Sequence, residues 1–406
     1  MKRKEALRQK LELVKVKASP YWGPCSIHQP LDLFPFHWRR QSLFGDEWKL
    51  RGKTFREERG FCGSNQTVLL ATGALDLFDG GNGPLGDLVQ LSDVISALTH
   101  LGYRLTVWWQ GKLPGPPLAS YTHIIVDYLA WRKLWGEPGA DLERRRMLVL
   151  DAYGTSSKGN RKTNGLFGGM RLPSLRQFLT FIPWPNPLNT YLGVAVPDSV
   201  RPPVSKERFG LVWGKEQRYF ERPKVRNYLK MISSSIPLYA TTHSNLTLAP
   251  LGVTNLGSLA FDKYLDLLSR ASLFVGLGEP FIGNAALEAT RLGTVVFNPI
   301  FKPPHRFGAH KPTSHTLSSQ HPMIERLGMP CVINLDINNA QQIRKGLQLV
   351  NAYHANYPTH GPHPCHALPE VSVDSFFCRI HAILTSDWKA GCLRPPPFMS
   401  DQPNVS

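Results

Sequence analysis

Several patterns that define large classes of proteins are missing from this sequence. The six cysteines lie far apart and never form the paired Cys-x-x-Cys spacing of a structural zinc site. No stretch of about 18 apolar residues occurs, so we expect no membrane-spanning segment in this chain. Charged residues follow Met1 where a signal peptide would need an apolar core, so any membrane anchor is expected upstream of Met1.

Acidic residues are scarce relative to basic ones. The chain has 47 lysines and arginines against 30 aspartates and glutamates, a formal net charge of +17. Such an excess favours phosphate-bearing partners, which leaves a nucleic acid and a nucleotide diphosphate as candidates. The basic residues are dispersed, and no zinc finger, aromatic RNA-binding motif or basic heptad array accompanies them, so we do not expect nucleic-acid binding.

The length and the hydrophobic content of 42% are typical of a globular chain with two α/β domains. We predict a basic extension rich in proline and aromatic residues over residues 1–64 and a first Rossmann-like domain over residues 65–195. A proline-containing linker over residues 196–208 precedes a second Rossmann-like domain over residues 209–386. Residues 387–406 are predicted to form a disordered tail.

Two predicted strands of the first domain end in aspartate. The segments His123–Asp127 and Met147–Asp151 are apolar runs of the kind expected for strands covered on both faces of a parallel sheet. Ligands bind beyond the carboxyl ends of such strands. We therefore expect Asp127 and Asp151 to point toward a ligand-binding cleft.

A glycine-rich loop, Gly80–Gly86, follows the first predicted strand and leads into a predicted helix that begins with Asp87. The Asp87 carboxylate could act as the base that takes a proton from an acceptor hydroxyl. The structural alternative is a favourable charge in the first turn of a helix, where the helix dipole stabilises anions.

A strand, a glycine-rich loop and a helix also follow one another between Val275 and Thr294. Backbone amides at the start of such a helix can hold a diphosphate. Glu288, one turn further, could accept hydrogen bonds from two ribose hydroxyls. The alternative is an ordinary strand-to-helix loop with a solvated glutamate. The candidate binding residues of the loop are Gly278, Glu279, Pro280 and Gly283.

Polar, proline-stiffened loops follow this helix. Lys311, together with Pro312 and Thr313, is placed to neutralise phosphate if its loop folds over a nucleotide. Gln320 and His321 could meet the base or the sugar. The alternative for each of them is a surface-loop residue without a ligand.

Four motifs occur in one order along the chain, and together they resemble the N-acetylglucosaminyltransferase V family, the alpha-1,6-mannosylglycoprotein 6-beta-N-acetylglucosaminyltransferases. The resemblance covers about residues 67–385. The motifs that carry it are Gly83–Asp93, Phe274–Pro280, Ala286–Ala289 and Lys311–Pro322.

The resemblance implies a GT-B fold, in which two Rossmann-like, doubly wound α/β domains face each other across a cleft. It implies a hexosyltransferase that moves N-acetylglucosamine from UDP-N-acetylglucosamine to the 6-hydroxyl of an α-linked mannose of an N-glycan. Such enzymes invert the anomeric carbon without a metal or a cofactor, and this sequence has no Asp-x-Asp metal motif. A Golgi-lumen location is also implied, and three Asn-x-Ser/Thr sequons agree with it.

The resemblance also assigns roles to individual residues. The family's catalytic glutamate matches Asp87, its ribose-binding glutamate matches Glu288, and Lys311 stabilises the leaving group. Two positions depart from the family. Asp87 is one methylene shorter than glutamate, which moves its carboxylate by about 1 Å, and Ile282 replaces an acidic residue, for which Glu279 could compensate. A second hypothesis is therefore a catalytically weakened or re-targeted relative that binds a glycan or a sugar nucleotide.

Overall fold

The computed structural model describes residues 46–73, 86–109, 118–127, 130, 146–151, 176–181, 189–196, 206–242, 247–259, 261–307, 315–356, 368–387 and 389–393. The chain divides into two compact units. Unit 1 extends to Pro197 and resumes at Glu370, and unit 2 comprises Asp198–Pro369. The division falls inside the predicted linker.

Unit 1 is built on a six-stranded sheet whose strand pairs are all parallel, in the order β2-β1-β3-β4-β5-β6. Its strands are β1 (Thr67–Thr72), β2 (Arg104–Trp109), β3 (His123–Asp127), β4 (Met147–Leu150), β5 (Phe178–Thr180) and β6 (Asn189–Tyr191). Its helices within the described ranges are α1 (Asp46–Arg59), α2 (Gly86–His100) and α8 (Val373–Leu384).

Both faces of this sheet are covered. Along β1, Val68 and Leu70 pack into one apolar cluster with the three helices, while Leu69 and Ala71 pack into a second cluster on the opposite face. Burial on both sides explains why the strands are continuous apolar runs in the sequence rather than alternating ones.

Helix α1 belongs to the core of unit 1, although the sequence predicted that residues 1–64 form an extension. Trp48 and Phe55 are spaced seven residues apart, so they share one helix face, and both are buried. Gly52 lies between them, and a Cβ at this position would come within 2.8 Å of the His100 Cβ. The glycine therefore allows α1 to pack closely against the end of α2.

Helix α8 also packs in unit 1, so the predicted end of the second domain at residue 386 is wrong. Phe376 and Phe377 are fully buried among residues of α1 and α2. The prediction of a disordered tail from residue 387 is wrong for its first residues as well. A disulfide joins Cys378 in α8 to Cys392, which lies in the short 3₁₀ helix Gly391–Leu393.

Unit 2 contains a seven-stranded sheet in the order β12-β11-β10-β7-β8-β9, with β13 paired to β11. Among the described strands of this sheet, only β12 runs antiparallel to its neighbour. The strands are β7 (Glu207–Trp213), β8 (Leu238–Ala240), β9 (Val253–Asn255), β10 (Ala271–Gly276), β11 (Val295–Phe307), β12 (His315–Ser319) and β13 (Val332–Leu335). The helices within the described ranges are α3 (Gln217–Glu221), α4 (Pro223–Ser233), α5 (Phe261–Arg270), α6 (Asn284–Arg291) and α7 (Ala340–Asn356).

No described helix of either unit is long and apolar enough to cross a membrane.

The packing of α8 against α1 predicts the effect of a core substitution. The Phe377 ring lies 5.3 Å from the Trp48 ring in a T-shaped contact, so Phe377→Ala leaves a cavity inside unit 1. We expect the free energy of unfolding of unit 1 to fall by about 3–5 kcal/mol in urea titrations. Leu50→Ala, at a position of α1 that is 64% exposed, is the control and should change it by less than about 0.5 kcal/mol. Equal effects of the two substitutions would contradict the assignment of α8 to this core.

Candidate functional site

The strand order of unit 2 indicates where a ligand would bind. Numbered along the chain from β7, the parallel strands lie in the order 3-2-1-4-5-6, which is the order of dinucleotide-binding Rossmann sheets. Ligands of such sheets bind beyond the carboxyl ends of the first and fourth strands, where the strand order reverses. Here these strands are β7 and β10, whose last residues, Trp213 and Gly276, are paired. Residues 277–283, which we call the β10–α6 loop, begin at this switch point.

Gln320 holds the β10–α6 loop in shape. Its side-chain oxygen accepts a hydrogen bond from the Gly278 amide at 2.8 Å, its side-chain nitrogen donates to the Pro280 carbonyl at 2.8 Å, and its backbone carbonyl accepts from the Ile282 amide at 3.0 Å. Gln320 is fully buried. Since both ends of its amide bond to the loop, Gln320 shapes the site, and its contact with a base or sugar stays a prediction.

The same loop carries an ion pair and a strained residue. The Glu279 carboxylate lies 2.6 Å from the guanidinium of Arg222, the residue before α4. Ile282 has a φ of 53°, a left-handed conformation that branched residues avoid and that costs about 1–3 kcal/mol. Its side chain is buried, so apolar packing accompanies this strain.

Two buried polar side chains at the switch point have no hydrogen-bond partner among the described residues. Asn284, the first residue of α6, has both its amide oxygen and its amide nitrogen unpaired, and His321 has both ring nitrogens unpaired. The His321 ring lies 6.2 Å from the Trp213 ring, and Gly283, the residue before Asn284, is so close to Trp213 that a Cβ there would lie 3.0 Å from it. Buried polar groups are normally paired. These atoms are therefore the ones whose hydrogen bonds a ligand would complete.

The start of α6 adds a preference for negative charge. The first amides of a helix lack partners within the helix, and the helix dipole is positive at this end. Gly283, the N-cap of α6, has no side chain that could bond them. Glu288 is buried one turn after Asn284, on the same face of α6. Burial of Tyr264 raises the pKa of its hydroxyl, and the nearby charge of Glu288 raises it further. An anion at the first turn and a hydroxyl-bearing group beside Glu288 would both suit this face.

In unit 1 the corresponding switch point lies between β1 and β3. The carboxylate of Asp127, the last residue of β3, accepts hydrogen bonds from the Thr72 hydroxyl at 2.6 Å, the Gly73 amide at 2.7 Å and the Ala130 amide at 2.7 Å. Asp127 thus fixes the point at which the chain leaves β1, instead of offering a free carboxylate.

The other predicted residues of unit 1 lie at the same edge of the sheet. Asp151 directly follows β4 and is buried. Asp87 is the second residue of α2, the helix that follows β1, and the structure describes only its backbone position. In unit 2, Lys311, Pro312 and Thr313 lie outside the described residues.

The sequence prediction did not include Asn284, Trp213 or Arg222. Asn284 had a usable signal, because it directly follows the glycine that begins a predicted helix. The sequence signal for Trp213 was weaker, because this residue is only the last of an apolar run. No sequence signal marked Arg222, since its pairing with Glu279 joins residues 57 positions apart.

The burial of His321 predicts a pH dependence of stability. Desolvation lowers the pKa of His321 from 6.5 to about 3. Between these two pH values the unfolded chain binds a proton that the folded chain does not. The free energy of unfolding should therefore fall as the pH falls through this window, by up to about 1.4 kcal/mol per pH unit.

His321→Gln should flatten this pH dependence, as measured by urea titrations at several pH values between 7 and about 4. The matched control is His305→Gln, which replaces an exposed histidine of β11. A slope that stays unchanged in His321→Gln would show that the buried ring is already protonated in the folded protein.

Comparison with known proteins identifies the family. A profile of glycosyltransferase family 18 matches residues 74–359, more than half of the chain. Human alpha-1,6-mannosylglycoprotein 6-beta-N-acetylglucosaminyltransferase A is 28% identical over 363 residues, covering 78% of this chain and 49% of that protein. The Caenorhabditis elegans alpha-1,6-mannosylglycoprotein 6-beta-N-acetylglucosaminyltransferase is 30% identical over 312 residues, covering 66% of this chain and 46% of that protein. The chain spans about half the length of the curated relatives it matches.

A solved structure supports the fold class. Sucrose-phosphate synthase from Thermosynechococcus elongatus aligns with a TM-score of 0.52 at 12% identity, covering 80% of this chain and all of that one. The predicted GT-B class, with two α/β domains, is thereby confirmed. The profile match, which spans more than half of the chain, shows that the chain belongs to glycosyltransferase family 18.

Proposed function

We propose that this chain transfers N-acetylglucosamine from UDP-N-acetylglucosamine to the 6-hydroxyl of an α-linked mannose of an N-glycan. Transfer proceeds with inversion and without a metal or a cofactor. The observation that carries the proposal is the pair of buried, unpartnered side chains, Asn284 and His321, at the switch point of unit 2. In a family 18 chain, a nucleotide sugar is the ligand that would complete their hydrogen bonds.

The donor fits the charges and shapes of the β10–α6 loop. The diphosphate would lie against the first turn of α6, where amides and the helix dipole favour anions. Glu288 would accept hydrogen bonds from the ribose hydroxyls. Lys311, with Pro312 and Thr313, would neutralise the charge that develops on the leaving UDP. Gly278 and Pro280, whose backbone groups bond the Gln320 side chain, would support the shape of this site.

A carboxylate of unit 1 would activate the acceptor hydroxyl. Asp87, in the first turn of α2, would remove the proton from the mannose 6-hydroxyl as the oxygen attacks the anomeric carbon. The bond from that carbon to the UDP oxygen breaks at the same step, and its electron pair leaves with UDP. A single displacement of this kind inverts the anomeric centre. Asp127 and Asp151 would shape the floor on which the acceptor lies.

The location that fits this function is the Golgi lumen. The relatives named above act on mannosylglycoproteins, as their names state. Every cysteine among the described residues is disulfide-bonded, which is typical of proteins that fold in an oxidising compartment. The glycoprotein acceptor and the nucleotide-sugar donor would meet in that compartment.

A second candidate function is that of a weakened or re-targeted relative that binds a glycan or a sugar nucleotide. It rests on Asp87, which is shorter than the family's glutamate, and on Ile282, whose buried apolar side chain stands where the family has an acidic one.

Variants of Asp87 test the proposed reaction. With UDP-N-acetylglucosamine, a biantennary N-glycan and excess EDTA, we expect the parent protein to form product and Asp87→Asn to reduce kcat by about 10²–10⁴-fold. Asp87→Glu should raise kcat, by up to about a hundredfold, because it restores the reach of the carboxylate. Absence of transfer by both the parent protein and Asp87→Glu would contradict the enzymatic proposal and favour the binding role.

A second test concerns the donor site and does not depend on turnover. Asn284→Ala removes an amide that we expect to bond UDP, so calorimetry should show UDP binding about tenfold weaker. Asn227→Ala, at an exposed position of α4, is the matched control and should bind UDP as the parent does. Unchanged affinity in Asn284→Ala would place UDP elsewhere.

A further inference from the structure

Arg379 is a buried charge that the proposed reaction does not use. It lies on α8 and is 1% exposed; the charges of Glu370 and Asp93 act on its guanidinium, although neither is among the ion pairs of the described residues. Its Nε donates to the Leu192 carbonyl at 2.6 Å, and its guanidinium lies over the rings of Tyr191 at 4.9 Å and Phe376 at 5.7 Å. Its Nη2 has no partner among the described residues. A buried cation is costly in a core, so its presence needs a reason.

The contacts of Arg379 lead to a short segment, residues 192–196, which we call the post-β6 segment. Thr180 in β5 accepts hydrogen bonds from the first two amides of the segment, and Val371, just before α8, accepts one from the Val196 amide at 2.7 Å. Gly193 has a φ of 69°, and a Cβ there would lie 2.7 Å from the Tyr191 hydroxyl. The segment therefore has one tightly defined path between the sheet and α8.

The same segment is bonded to helix α2. The Gln90 side chain donates to the Gly193 carbonyl at 3.2 Å, and the Asp93 carboxylate accepts a hydrogen bond from the Ala195 amide at 2.9 Å. Gln90 and Asp93 are both almost completely buried. Gln90 is three residues after Asp87, which is less than one helical turn. The post-β6 segment thus links Arg379 on α8 to the first two turns of the helix that carries the proposed base.

We propose that Arg379 is a positioning residue for the transfer reaction. By fixing the post-β6 segment through Leu192, it sets the position of α2 and hence of the Asp87 backbone. This inference rests on the proposed role of Asp87 as the base. A misplacement of about 1 Å at a reacting group can cost about a hundredfold in rate, so a small shift of α2 is enough to matter.

The test replaces Arg379 by methionine, which keeps much of the apolar side chain and removes the guanidinium. Because exchange of a buried charge for an apolar residue is often neutral for stability, we expect Arg379→Met to fold. Its kcat should fall by about 10- to 100-fold with the KM for the donor nearly unchanged. Arg379→Lys keeps the charge but lacks the planar guanidinium, so its kcat should lie between those of the parent protein and Arg379→Met. Arg51→Met is the control, because Arg51 also bonds α8, through Asp374 at 3.2 Å, but on the exposed side.

A double-mutant cycle separates positioning from general loss of structure. In the Asp87→Asn background, Arg379→Met should change the residual rate by no more than about twofold, since its effect passes through the base. A full additional loss in that background would overturn the proposal. An Asp87→Asn variant with parent activity would instead contradict the proposed base itself.

Hydrogen exchange gives a readout that does not require turnover. Amides in the first two turns of α2 and in the post-β6 segment should exchange faster in Arg379→Met than in the parent or in Arg51→Met. Equal exchange in all three proteins would overturn the proposal, whether or not the protein transfers sugar.

Discussion

Two sheets, one entirely parallel and one parallel except for β12, impose the constraint on which this molecule depends, and their central strands β3 and β10 are buried almost throughout. Their apolar strands can meet polar ligands only at the strand ends. Because neighbouring strands run parallel, their carboxyl ends lie at the same edge of the sheet. In unit 2 the strand order reverses between β7 and β10, and this edge holds Trp213, the β10–α6 loop and the start of α6. Two buried polar side chains without partners among the described residues, Asn284 and His321, lie where the fold alone would place a ligand.

The two units use their buried polar groups in different ways. In unit 2, Gln320 satisfies the backbone of the loop, while Asn284 and His321 have no partner among the described residues. In unit 1, Asp127 satisfies the backbone at the end of β1, while Gln90 and Asp93 fasten α2 to the segment after β6. Unit 2 thus keeps unpaired polar groups at its switch point, whereas unit 1 uses its buried polar groups to hold a helix in place.

The sequence predicted strands β1, β3, β4 and β10, the loop before α6 and the two α/β domains, because continuous apolar runs and glycine positions are local signals. It did not predict that Trp48 and Phe377 share one core, since nothing local joins residues so far apart. Nor did it indicate that the Gln320 side chain bonds the loop before α6. A polar residue in a polar segment has the same pattern whatever it bonds, and only the structure gives its hydrogen-bond partners. The sequence did not predict the positive φ of Ile282 either, because branched residues rarely adopt this conformation.

We propose that the unpartnered side chains of Asn284 and His321 lie at the nucleotide end of a sugar-nucleotide site. The most direct measurement is a crystal structure of the protein with UDP. We expect the diphosphate to lie at the first turn of α6, with new hydrogen bonds to Asn284 or His321 and the ribose beside Glu288. UDP bound away from this turn, with both side chains still unpartnered, would contradict it.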